Sequence, residues 1–140
     1  MKQNPSRLKF KKNQKPSKSY LLLNENKVFF PKDGLFAIKS NCSGKLLFNQ
    51  IEACRKSIKR SVRRIGRIKI NVFTYFSKTA KGLGVRMGKG KGSHSKWICP
   101  IKAGHVICEL SGVSRNLSHK ALMHASTKLP FKTQVIKLCY

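Results

Sequence analysis

Residues 49–66 read NQIEACRKSIKRSVRRIG, and residues 67–76 read RIKINVFTYF. The change of period between these two stretches decides the fold. In the first, Ile51, Cys54, Ile58, Val62 and Ile65 recur at spacings of three and four, which gives a helix one apolar stripe. Asn49, with Glu52 three positions later, has the capping-box pattern, and Gly66 supplies a stop. In the second, Ile68, Ile70 and Val72 alternate with Lys69 and Asn71, the pattern of a half-buried strand. A helix feeding a strand is therefore the nucleus from which the rest is read.

Downstream, residues 77–96 form a long segment rich in Gly and Lys. KWICPIKAGHVICELSG (96–112) reads as two short strands around a turn at Lys102–Gly104, a hairpin-like signal. Ser114 opens a second helix running to about Leu129, with Leu117, Ala121, Leu122, Ala125 and Leu129 as its buried stripe and Pro130 as its stop. Residues 131–138 give a last strand. Upstream, residues 21–48 mix short apolar runs with turn signals at Asn24–Asn26, Pro31–Gly34 and Asn41–Gly44, consistent with two or three short strands. Residues 1–20 are a basic, proline-broken arm. The expected fold is α+β, a two-layer sandwich of two helices on one face of a mainly antiparallel sheet. The arm precedes a single domain over 21–140, from which a loop extends at about 77–96. A loop of that length in a compact domain is usually functional.

The charge is lopsided. The 140 residues carry 31 Lys and Arg against four acids (Glu25, Asp33, Glu52 and Glu109), a net +27. Such a chain repels itself in isolation and suits a polyanionic partner, nucleic acid first and an anionic membrane second. The helical face opposite the apolar stripe concentrates this charge in Arg55, Lys56, Lys59, Arg60, Arg63 and Arg64, with Arg67 just beyond. Solvated faces usually mix signs to gain i,i+4 pairing. A face that is almost wholly cationic points to a missing polyanion.

The Gly/Lys segment contains RMGKGKG at 86–92 and invites a phosphate reading. The nucleotide-binding templates fail. Gly84 and Gly88 are separated by three residues rather than four, and Gly90 follows Lys89 where a Walker loop needs Ser or Thr. Met87 occupies the third-glycine position of a dinucleotide fingerprint. The phosphate in question is then that of a nucleic-acid backbone. Four acids without a dyad, and no nucleophile in a known motif, leave no enzyme chemistry to read. No apolar stretch reaches 18 residues, and the basic helix carries no Trp or Phe for a membrane surface. A helix-turn-helix reading fails because a strand follows the first helix. The five cysteines (42, 54, 99, 108, 139) are odd in number and scattered, which suits free thiols in a reducing compartment. His94, Cys99, His105 and Cys108 match no zinc spacing, so neither metal nor cofactor is expected. His119 and His124 fall in the second helical pattern, on the surface or toward RNA. The arm lacks apolar anchors, and its charge is unpaired, so it is expected to be unordered away from a polyanion.

With these elements in place, the chain resembles the large-subunit ribosomal protein sixteen family of bacteria and organelles. The resemblance runs over nearly the whole length. The arm is similar to the family's P-x-R-x-K-F-R/K-K through Pro5, Arg7, Lys9, Phe10, Lys11 and Lys12. NQIEACRKSI (49–58), VRMGKGKG (85–92), Trp97, GHVICELSGV (104–113) and ALMHASTKLPFKTQVI (121–136) carry the remainder. Three features depart from the pattern. NQKPSKSY replaces the Gly/Arg-rich piece after the arm, the first central strand has IKI without the usual Trp, and Ala103 replaces a common proline.

The resemblance implies a structural constituent of the large ribosomal subunit, bound to large-subunit rRNA near the aminoacyl-tRNA site. It implies contacts with aminoacyl-tRNA, possible contacts with peptidyl-tRNA, and neighbouring large-subunit ribosomal proteins, with no membrane. The general alternative is a non-ribosomal RNA-binding or RNA-chaperone protein. The residues expected on RNA are Arg7, Lys9, Lys11 and Lys12 in the arm, the helix cations named above, and Lys81, Arg86, Met87, Gly88, Lys89, Gly90, Lys91 and Gly92 in the loop. Arg86 is suited to clamping a phosphate or stacking on a base, and Lys89 and Lys91 to acting as point charges. Trp97 stays open between a base-stacking surface and a core residue. The Lys/Asn/Phe/Ile-rich divergence suggests a mitochondrial member, and the absence of a recognisable presequence suggests synthesis inside the organelle. A bacterial cytoplasm is the alternative.

Overall fold

A computed structural model of the chain describes residues 5, 8–14, 31–63 and 65–138. Arg7, Arg64, Cys139 and the strand expected before residue 31 lie outside the described residues. Within them the order is β1 (Phe36–Ser40), β2 (Gly44–Leu47), α1 (Phe48–Val62), β3 (Arg67–Ile70), β4 (Phe76–Ala80), β5 (Ser93–Ile101), β6 (Val106–Ser111), α2 (Arg115–Ser126) and β7 (Thr133–Lys137). The α+β class and both helices are as expected. The strands, however, form two antiparallel sheets rather than one: a four-stranded sheet ordered β3-β6-β1-β7 and a three-stranded sheet ordered β2-β5-β4.

The two helices contact each other and cover one face of the four-stranded sheet. Pairings of Ile38 with Cys108 and Val135, of Phe36 with Leu110, and of Ile68 with Leu110 put these residues on one face. Against it lie Ile51, Cys54, Ile58 and Val62 of α1 and Ala121, Leu122 and Ala125 of α2, all buried. Cys54 and Cys108 hydrogen-bond to each other inside this core, and that contact and burial hold Cys108 well above the usual thiol range. In the second sheet, burial pushes the Cys99 thiol up to about 11. Both behave as small core hydrophobes, inert at neutral pH.

Several boundaries differ from the sequence expectation, each for a local reason. α1 is capped by Gln50, whose Oε1 accepts the Leu47 N–H at 3.0 Å, while Glu52 binds the Arg55 guanidinium at 2.6 Å. The helix ends at Val62, with Arg63 left-handed at φ 46°, so Ile65 leaves the stripe and is 59 % exposed. The expected strand 67–76 breaks into β3 and β4. Val72 and Thr74 remain buried and Phe73 and Tyr75 exposed, so the alternation is real. It records burial rather than pairing, because here the chain crosses from one sheet to the other.

The hairpin expected at 96–112 is absent. The 102–105 turn is held by β1, since Gly104 N–H donates to the Ser40 carbonyl at 2.7 Å and Ser40 N–H to the His105 carbonyl at 2.9 Å. This sends β6 into the four-stranded sheet. The true hairpin is β4–β5, and the loop joining it is 81–92, shorter than expected because its flanks extend as strand.

Glu109 is buried at the centre of the other face of the four-stranded sheet, 1 % exposed. Its Oε2 accepts the N–H groups of Lys32 (3.2 Å), Asp33 (2.9 Å) and Gly34 (3.0 Å), and its Oε1 accepts Asn71 Nδ2 at 2.5 Å. Burial alone would raise its pKa. The four donors outweigh burial and hold the carboxyl below its ordinary value of 4.5. The carboxyl thus titrates lower folded than unfolded. The stability it contributes is present at neutral pH and drains away as pH falls below 4.5 and through the folded value. Glu109→Gln is expected to lower stability by about 3 kcal/mol at pH 7, because an amide cannot satisfy all these donors. The variant should also lose part of the acid sensitivity, which thermal melts between pH 3 and 7 will read. Gly66→Ala should cost at least as much. Gly66 has φ +84°, and a Cβ there would lie 2.3 Å from Val113 Cγ2 and 2.5 Å from the Ser111 carbonyl oxygen.

Candidate nucleic-acid interface

The described cations expected on RNA fall on three structures. The first is the outer face of α1, where Lys56, Lys59, Arg60 and Arg63 are exposed, with Arg67 exposed at the start of β3. Between α1 and β3 lies a cleft of about 430 Å³ whose lining includes Arg55, Lys59, Ile65 and Arg67. Arg55 is half-buried and already bound to Glu52 through two hydrogen bonds of 2.9 and 2.6 Å, so it is less available than its neighbours.

The second structure is the β4–β5 loop. Residues 81–91 are all exposed. Lys81 Nζ donates to the Gly88 carbonyl at 2.5 Å, which staples the loop across its width. Gly88, Lys89 and Gly90 have φ of +91°, +53° and +80°, three consecutive residues in the left-handed region. A Cβ on Gly88 or Gly90 would meet nothing within 4 Å. Their glycine is demanded by backbone conformation, not by crowding within the chain. Arg86 and Lys89 are exposed and make no hydrogen bond to a described residue.

Sequence reasoning picked out Met87 but missed its companions. Leu83, Val85 and Met87 are 106 %, 56 % and 96 % exposed, a row of apolar side chains among cations. The alternation of Gly82, Leu83, Gly84, Val85 and Met87 was the available signal.

The third structure is the described part of the arm. Lys9, Lys11 and Lys12 are exposed, and Lys9 Nζ lies 5.8 Å from the centroid of the exposed Phe10 ring. The sequence gives this arm no anchor, yet the structure has one. Lys12 Nζ donates to the Lys91 carbonyl at 3.0 Å, and Lys91 Nζ donates to the Asn13 carbonyl at 2.5 Å. Arm and loop are thereby brought together across 78 residues of sequence.

Trp97 is half-buried in β5, its ring 4.5 Å from that of His94, whose Nδ1 lies 2.7 Å from Ser77 Oγ. Of the described acids, Asp33 is held by Lys69, Glu52 by Arg55 and Glu109 by backbone amides and Asn71. Contact with those cations keeps Asp33 and Glu52 below the usual carboxylate range. Among the described residues no group of three His, Cys, Asp or Glu is arranged to hold a metal ion, and no helix is long and apolar enough to cross a membrane.

An α+β domain of this charge, with an exposed Gly/Lys hairpin loop and an arm tied to its base, defines a class of protein that operates against a polyanion. Comparison with known proteins gives the particular family. The profile described as ribosomal protein L16p/L10e matches residues 5–136. The large ribosomal subunit protein uL16 of Psychrobacter arcticus is 44 % identical over 133 residues, covering 95 % of each chain. That of Psychrobacter cryohalolentis is equally similar, and that of Acinetobacter baumannii is 41 % identical over 132 residues, 94 % of each chain. The chain belongs to the ribosomal protein L16p/L10e family; it is a structural ribosomal protein, not an enzyme.

If the two lysine contacts hold the arm, Lys91→Ala should release it without unfolding the domain. Proton–nitrogen heteronuclear NOEs of residues 8–14 in the full chain are expected to fall in Lys91→Ala and to stay at the wild-type level in Lys89→Ala. Equal values in all three proteins would mean that the contact does not order the arm.

Proposed function

We propose that this protein is a structural constituent of the large ribosomal subunit that binds large-subunit rRNA through its arm, its α1 face and its 81–92 loop. The loop reaches the aminoacyl-tRNA site and supports tRNA positioning. The observation that carries this reading is the loop itself. Its exposed cations and its exposed Leu83, Val85 and Met87 contribute nothing to the protein's own core, which is the signature of a surface made for a partner. A partner that satisfies both kinds of side chain must offer phosphates and apolar faces together, as RNA with unstacked bases does. Phosphate contacts from Lys12, Lys59, Arg60, Arg63, Arg67, Arg86 and Lys89 would set position and register, and the RNA's shape would supply specificity. The names of the bacterial relatives support the large subunit, where neighbouring ribosomal proteins are further partners.

For compartment, the Lys/Asn/Phe/Ile-rich composition supports a mitochondrial ribosome. The bacterial sources of the relatives support the bacterial cytoplasm, the second reading.

The tagged protein, run with its native lysate on sucrose gradients at low and raised salt, is expected to migrate with the large subunit and to survive moderate salt. Material at the top of the gradient, or spread over all RNA and washed off by salt, would establish a general RNA-binding protein instead. Replacing both Gly88 and Gly90 with Ala should leave that co-migration intact. Each substitution costs about 1 kcal/mol of local backbone strain and redirects the loop. Aminoacyl-tRNA accommodation on the purified ribosomes should slow, and a wild-type rate would leave the loop as an rRNA anchor only.

A further inference from the structure

The sequence reading placed the RNA-facing cations on the arm, α1 and the loop. The structure carries another cationic surface, at the far edge of the four-stranded sheet. A cleft of about 510 Å³ lies between α2 and β7, with Phe36 and Val135 among the apolar residues lining it and Arg115, His119, Lys120 and Lys137 around it. All four of the latter are exposed, and none of their side chains makes a hydrogen bond to a described residue. The described acids are all elsewhere: Glu52 is on α1 beside Arg55, and Asp33 and Glu109 lie on the opposite face of the sheet.

We infer that this cleft is a second RNA-docking surface, taking the phosphate backbone on its cations and an unstacked base against its apolar floor. Two observations favour RNA over a protein. Cations without a single acid among them match a polyanion, and lysine is depleted from the cores of protein–protein interfaces. The apolar floor then requires more than a phosphate, and a base lifted out of its stack supplies a flat apolar face.

Position turns this into a statement about mechanism. The α1 cleft lies at β3 and the new one at β7, the two outer strands of the order β3-β6-β1-β7. Three strand spacings separate them, roughly 14 Å. The packed helix pair stands over the sheet between the two clefts, so an RNA segment seated in one reaches the other only by passing around the helices. The protein therefore staples two separate segments of the same RNA, with the sheet as the rigid bar between them. This inference rests on the RNA-binding reading proposed above.

The test uses the full chain assembled into particles in cells. A photoreactive p-benzoylphenylalanine replaces exposed His119 in one strain and exposed Lys59 in another. After irradiation, the crosslinked species are isolated from large subunits and sequenced. RNA crosslinks from both positions, at non-overlapping segments, are the expected result. A His119 probe that captures a protein, or captures nothing while the Lys59 probe captures RNA, overturns the second surface and leaves the proposed function standing. Both probes on the same segment overturn the stapling. Absence of RNA from both overturns the RNA-binding reading itself. A companion variant, Arg115→Glu with Lys120→Glu, should weaken retention on particles at raised salt by at least tenfold while preserving the melting temperature of the free chain. Retention equal to wild type would also overturn the inference.

Discussion

One buried carboxylate organises this domain. Glu109 sits in β6, in the interior of the four-stranded sheet, and receives hydrogen bonds from three successive backbone amides at 32–34 and from Asn71. The amides belong to the segment leading into β1, and Asn71 stands where the chain leaves β3 to cross to the second sheet. A single side chain thus fixes both the entry to the first sheet and the exit from it. In a chain with a net charge of +27 the obvious partner for an acid is a lysine. A buried ion pair would leave a cation needing its own desolvation, whereas amide donors are already present and must be satisfied in any case.

Separation of the domain's two tasks follows from that arrangement. The core is closed by Ile, Leu, Val and Cys side chains from both helices and both sheets, and none of the 81–92 loop takes part in it. The cations stand outside the core on α1, on the loop and around α2. Self-repulsion among them is a penalty the fold carries alone, and a polyanion removes it. Stability and function are then coupled through the partner rather than through shared residues.

Periodicity made much of this legible before any coordinates. The stripe Ile51, Cys54, Ile58, Val62 is buried in α1, and that of Ala121, Leu122 and Ala125 in α2, because a helix commits its pattern within a few turns. The exposed loop and the charged face of α1 were legible too, since glycine and lysine density is a local property. What escaped was whatever depends on residues distant in sequence. The sequence hides Gln50 as a cap because the competing Asn49/Glu52 pattern fits two residues later. Ser40 capturing the 102–105 turn, which abolished the expected hairpin, joins positions more than 60 residues apart in the chain. The Glu109 cradle spans 75 to 77 residues, and the sequence offers only an acid inside an apolar run as its trace. The α2 cleft escaped because its cations are divided between α2 and β7, with Arg115 and Lys120 on the helix and Lys137 on the strand, and acquire meaning only when the two lie side by side.

The β4–β5 hairpin also makes the loop a cantilever. Ile98, Cys99 and Ile101 are buried while Ser93, Ser95 and Lys96 are exposed, so β5 is clamped at one end and projects at the other. At its free end Gly92 lies against Ala80 so closely that a Cβ would come within 2.4 Å of the Ala80 carbonyl oxygen. The aim of the loop is therefore set by strand length and parity. Removing two residues from the projecting part of each strand would shorten the reach and preserve the facing. Removing one from a single strand would turn the tip over, unless the irregularity between Lys78 and Thr79 absorbed it. The number of residues in this beam, and not only their identity, thus sets which way the loop faces.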